Sequence, residues 1–136
     1  MLKKSPSGSL CPYYYKGGEL HPLHYGSYRD NLGRLSEIID AEEKFILSSS
    51  LRGRYVWIDL YETNFTDSMI LKLSQHIIHI SPRVSKMALV GCSKKVFKKI
   101  IGHLREAKCG LAETIRYFDD PEISKDWLVG KEYSKD

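Results

Sequence analysis

Few residues in this chain are spaced for chemistry. Cys92, in Val90-Gly91-Cys92-Ser93, precedes a helical pattern, and a helix amino terminus can lower a thiol pKa. A free cysteine is more often a small buried hydrophobe, and no base for this one can be picked out of the sequence, so Cys92 is expected to be structural. His21 with His24 and His76 with His79 form two i, i+3 pairs. On a helix such a pair could share one metal. Zinc wants three or four ligands, however, and no carboxylate or cysteine stands at supporting spacing. Surface histidines are therefore expected, with no metal and no other cofactor. GxSxG, GxxxxGK[ST], GxGxxG and HExxH are all missing, which points away from an enzyme.

Two further groups carry more signal. Between residues 94 and 109, Lys94, Lys95, Lys98, Lys99, Arg105 and Lys108 oppose only Glu106. The basic face headed by Lys94, Lys95, Lys98 and Lys99 could attract phospholipid headgroups, nucleic acid or an acidic partner; a solvated helix surface is the plainer account. No stacking or base-reading groups accompany it, so specific nucleic-acid binding is not expected. The second group is Asn64-Phe65-Thr66-Asp67-Ser68-Met69-Ile70, where a strand pattern hands over to a helical one. Thr66, Asp67 and Ser68 are all of helix-capping type, and Ser68 is alternatively a hydroxyl that another protein modifies.

The elements that must position these residues follow from periodicity. Two arms of CPYYYKGGELHPLHY flank Lys16-Gly17-Gly18 as a hairpin, with Gly-Gly supplying positive backbone angles and Pro22 suiting an edge or short strand. Leu32, Leu35, Ile39 and Ile46 recur as one face of a helix over about 28–49, whose other face holds Asp30, Glu37, Asp40, Glu42 and Glu43. YVWIDLY, residues 55–61, is apolar on both alternating faces, as a central strand must be. A helix over 68–80 turns Ile70, Leu73, Ile77 and Ile80 inward and Lys72, Gln75, His76 and His79 to water, and Pro82 ends it. A strand at 86–91, a helix capped by Ser93 and stopped by Gly110, a strand at 112–118 and a helix opened by Asp120-Pro121-Glu122 complete the alternation. Strands alternating with helices predict an α/β sandwich with a mixed, largely parallel β-sheet, an N-terminal hairpin and about four helices.

The chain of 136 residues is 42% hydrophobic, which suits one domain. Residues 1–11 are small and polar enough to be a loose tail, 12–130 the domain and 131–136 a second tail. The net charge of +4 is mild. The three cysteines are far apart, and no apolar run approaches the roughly 18 residues of a membrane span, so a cytoplasmic protein with no transmembrane segment is expected.

At Ile58-Asp59-Leu60, at Asp67-Ser68 beyond it, and at Ile115–Phe118 before Asp120-Pro121-Glu122 and Trp127-Leu128, the chain resembles the STAS family. That family is named for sulphate transporters and anti-sigma-factor antagonists. The resemblance covers about residues 13–130 and is nearest the single-domain bacterial branch grouped with lipid-binding SEC14-type domains. It implies a non-enzymatic regulatory module that meets a protein partner, a regulator or a kinase, around Phe65, Thr66, Asp67, Ser68 and Met69. It further implies that Ser68 is the position a partner kinase phosphorylates. Binding of a lipid or small apolar ligand is the alternative.

Overall fold

A computed structural model describes residues 3–8, 10–11 and 13–130. Two short antiparallel strands, β1 (Lys3–Lys4) and β2 (Leu10–Cys11), stand ahead of the main sheet. The hairpin β3 (Tyr13–Tyr15) and β4 (Gly18–His24) leads into α1 (Leu32–Leu47), β5 (Arg54–Asp59), α2 (Asp67–Ile80), β6 (Val84–Val90), α3 (Lys94–Glu106), β7 (Ile115–Phe118) and α4 (Pro121–Leu128). The main sheet runs β3-β4-β5-β6-β7, antiparallel in its first pair and parallel thereafter. Among the described residues this is the α/β architecture expected, with a mixed, largely parallel sheet, a leading hairpin and four helices.

Parallel strands added one after another in chain order, with right-handed crossovers, put α1, α2 and α3 on one face of the sheet. There Leu35, Ile39 and Ile46 of α1, Leu73, Ile77 and Ile80 of α2, and Ile100 and Leu104 of α3 bury the row Leu23, Ile58 and Leu89. The opposite face is covered by α4, which closes Trp127 and Leu128 over Leu20, Trp57, Ala88 and Val90. The Trp57 indole N–H donates to buried Ser124 Oγ at 2.8 Å, so the polar atom of this large core side chain is satisfied by the helix that covers it. Lys125 lies over the Trp57 ring at 4.7 Å and over Tyr13 and Tyr15 at 5.5 and 5.8 Å, pinning α4 to the hairpin by cation–π attraction.

Several local expectations are corrected. The hairpin's two positive angles fall on Lys16 (φ 47°) and Gly17 (φ 85°), because Tyr15 pairs with Gly18 and the turn is the two-residue kind. β4 is an inner strand, but β3 pairs with it only as far as Leu20, so Pro22 lies in the stretch β3 leaves uncovered. α1 starts at Leu32, capped by Asn31, because Ser27 (φ 66°) and Arg29 (φ 52°) close a loop first. Residues 110–113 form a 3-10 turn, which shortens the last strand.

Part of the stretch expected as a loose tail is tied down. Ser5 is buried, and Ser5 Oγ and Ser7 N donate to Glu42 Oε2 at 2.7 and 2.9 Å. The C-terminal tail, 131–136, lies outside the described residues.

α3 ends before Gly110. Lys108 (φ 55°) takes the left-handed position, Cys109 N–H bonds Leu104 O at 2.9 Å, and Lys108 N–H bonds Arg105 O at 3.0 Å. A lysine there bears a steric cost that glycine avoids. Lys108→Gly should therefore stabilise the protein by about 0.5–1 kcal/mol, measured by chemical denaturation; unchanged or lower stability contradicts this account of the cap.

Candidate functional site

The start of α2 is built on the turn that leaves β5. Thr66 is the helix cap: its extended backbone (φ −86°, ψ 166°) lets Oγ1 accept the Met69 N–H at 3.2 Å. Asp67 and Ser68 are then helical, with Ser68 Oγ 3.1 Å from Thr66 Oγ1. Of the five residues expected as a partner surface, Thr66, Asp67 and Ser68 are exposed. Met69 is a correction: it is 7% exposed and belongs to the core, as does Ile70 beside it, because helical periodicity turns both toward the sheet. Phe65 is half-buried and packs on the same core.

The loop before this helix is zipped to the β4–α1 loop. Ser27 N–H bonds Tyr61 O, Arg29 N–H bonds Glu62 O, and Asn64 N–H bonds Arg29 O, at 2.6, 3.0 and 2.9 Å. Thr63 Oγ1 accepts the Tyr28 N–H and donates to Tyr25 O, both at 3.1 Å. At the carboxyl ends of β5 and β6, Gly91 (φ 91°) admits the Tyr61 ring, which a Cβ there would meet at 2.6 Å. Asp59 is committed to the β5 turn: Oδ1 accepts the Tyr61 N–H at 3.0 Å, and His24 Nδ1 stands 3.8 Å from Oδ2.

α3 runs beside α2, and Lys99 Nζ donates to Asp67 Oδ1 at 2.6 Å. That bond, with Lys95 adding to it, holds the Asp67 carboxyl below its ordinary range. Lys94, Lys95, Lys98 and Lys99 are all exposed and line one open depression. Ser93 caps the helix, accepting from Val96 N–H at 3.1 Å. Phe97 turns inward onto Tyr117, ring centres 4.8 Å apart.

The buried charges were not expected. Glu42, read as part of a water-facing acidic side, is fully buried, and His21 and His76, read as surface histidines, are buried too. Arg54 Nη1 donates to His21 Nδ1, which fixes the ring proton on Nε2, 3.7 Å from Glu42 Oε1. Burial alone would raise the Glu42 carboxyl; the nearby His21 ring and the Ser7 and Ser5 donors outweigh it and hold the pKa below the usual 4.5.

A second chain of polar groups runs alongside. Tyr25 O–H lies 2.8 Å from His76 Nε2, and His76 Nδ1 lies 3.0 Å from Glu43 Oε1. A neutral imidazole with its proton on Nδ1 satisfies every member of this chain. Glu43 is held below 4.5 chiefly by the bond from His76, and His79, 3.2 Å from Oε2, assists. Burial pushes the Tyr25 phenol well above its ordinary value, with Glu42 and Glu43 adding to the effect. The signal for Glu42 was present in the spacing: Leu35, Ile39, Glu42 and Ile46 continue one 4-3-4 stripe.

Cys92 is buried, and burial raises its thiol to about 11, the opposite of an activated nucleophile. Among the described residues no group of three or more His, Cys, Asp or Glu side chains could hold a metal ion, and no helix is long and apolar enough to cross a membrane. The parallel strands never reverse order, so the sheet has no switch point of the kind where open α/β proteins seat ligands, and the candidate surface is the edge formed by α2 and α3. Comparison with known proteins finds no matching protein family, no matching curated protein and no matching solved structure.

Two measurements follow. At neutral pH, Cys92 should react with a thiol reagent on the order of 100-fold more slowly than an unperturbed thiol, since its pKa is raised from 9.0 to about 11; rapid labelling at Cys92 contradicts this. Glu42 and Glu43 have folded-state pKa values below 4.5, so the stability they contribute is complete well above that value and is lost as pH falls below it and through the lower folded-state values. Glu42→Gln should cost about 2 kcal/mol at neutral pH and progressively less below pH about 4 in denaturant titrations.

Proposed function

We propose that this chain is a STAS-like, non-enzymatic regulatory module that meets a protein partner at the start of α2, with Ser68 the position whose phosphorylation changes partner choice. The observation that carries this reading is the division of labour between Thr66 and Ser68. Thr66 supplies the cap, so the Ser68 hydroxyl is exposed and modification leaves the helix's own bond to Met69 N–H in place. The order hairpin, helix, strand, helix, strand, helix, strand, helix, on which the resemblance rests, supports it as well.

A phosphate on Ser68 adds about −1.5 to −2 charges at the positive end of a helix dipole. Asp67 repels that charge, and Lys99, already paired with Asp67, offsets the repulsion. The contact surface in this reading is Thr66, Asp67 and Ser68, with Lys95 and Lys99 beside them, and the partner is a regulator or kinase met in the cytoplasm.

Ser68→Ala and Ser68→Asp proteins, each used to capture partners from the source cell, should recover different partner sets. Both should keep wild-type stability to within about 0.5 kcal/mol, as exposed positions do. Identical partner sets would sink the switch, and a large stability loss in Ser68→Ala would mean that Ser68 has a structural role after all.

A further inference from the structure

The outward face of α3 is electrostatically unfavourable for a helix left to itself. Lys94 and Lys95 occupy its first two positions, where the dipole disfavours cations, and no acidic residue lies in the first turn. Lys94 with Lys98 and Lys95 with Lys99 are like charges four apart, which repel. Among the described residues Asp67 is the one carboxylate that forms an ion pair with this cluster, at Lys99. All four lysines nevertheless line the same depression. A stretch that breaks local rules without local compensation is characteristic of a functional site.

We infer that this depression binds a compact polyphosphate, a small ring or chain carrying several phosphates. Side chains one turn apart stand about 5–6 Å apart at Cβ, so two adjacent turns bring four ammonium groups onto a patch the width of a single multiply phosphorylated ring. An extended acidic peptide offers one carboxylate per about 7 Å of each face, a poorer match to two lysines per turn. Stacking of nucleic-acid bases has no platform here, because Phe97, the aromatic of this helix, is turned onto Tyr117. The same chemistry is presented by a free inositol polyphosphate and by a phosphoinositide headgroup. With Val96 and Phe97 packed on the core, the face has no apolar wedge, and a lipid's acyl chains would stay in their bilayer. This inference shares Lys95 and Lys99 with the Ser68 surface but does not require Ser68 to be modified.

The test is calorimetric titration of the full chain with inositol hexakisphosphate, with inorganic phosphate and a glutamate-rich peptide as comparisons. Sedimentation with phosphatidylcholine vesicles, with and without phosphatidylinositol bisphosphate, forms the lipid arm. Binding of the hexakisphosphate should weaken at least about tenfold between about 50 and 200 mM salt. K95Q/K98Q should weaken it about tenfold or more, whereas R105Q/K108Q, which removes the same charge at and just beyond the carboxy-terminal end of α3, should leave it within about twofold. Sedimentation only with the phosphoinositide vesicles identifies a lipid headgroup as the source; hexakisphosphate binding without sedimentation identifies a free ligand. Equal losses in the two double variants, a peptide that binds as tightly as the hexakisphosphate, or no binding of either phosphate probe at low salt would overturn the proposal.

Discussion

β5 must be buried on both sides, and the rest of the molecule is arranged to meet that demand. Val56 and Ile58 point to one face and Trp57 to the other, so a single strand requires two covering layers. α1, α2 and α3 form one layer, as the rule of right-handed crossovers requires when each new strand joins the same edge. α4 forms the other, and Trp57 fixes its position through Ser124, which accepts the indole N–H, and Lys125, which lies over the ring. The hairpin is held to this second layer as well: Tyr15 O–H and Lys16 Nζ reach Asp126 at 2.9 and 2.8 Å.

What the residues disclosed in advance was whatever depends on alternation of type. The double-sided strand, the helical stripes and the Asp120-Pro121 start of α4 all appear where pattern places them. What stayed hidden was where a polar residue occupies an apolar position. Glu42 sits on the same stripe as Ile39 and Ile46, and His21 shares a strand face with Leu23 and Tyr25, yet residue type argues for water in each case. Their burial depends on partners distant in sequence, Ser5, Ser7 and Arg54, which no local window contains. Lys16, Lys108 and Glu62 conceal turns for a related reason, since positive φ is expected of glycine and these are not glycines.

The candidate surface was legible in part. Exposure of Ser68 and the basic face of α3 follow from pattern. Burial of Met69 and the Asp67–Lys99 pair require the packing of α2 against α3. That pair makes the two regions one surface, because any anion drawn to Lys99 competes with the carboxylate next to Ser68. The buried His21–Glu42 and Tyr25–His76–Glu43 groups lie elsewhere, between α1 and the sheet or α2, and they fix α1 in register.

The order in which cover arrives has a consequence for the chain as it is made. Every βα unit through β7 meets a neighbour already in place, since strand order and chain order coincide. The face that carries Leu20, Trp57, Ala88 and Val90 is different: its lid is α4, residues 121–128, which follows every strand of the sheet. Until those eight residues leave the ribosome, the growing sheet presents a tryptophan-centred apolar plane to the solvent, and a chain cut short after β7 keeps that plane bare.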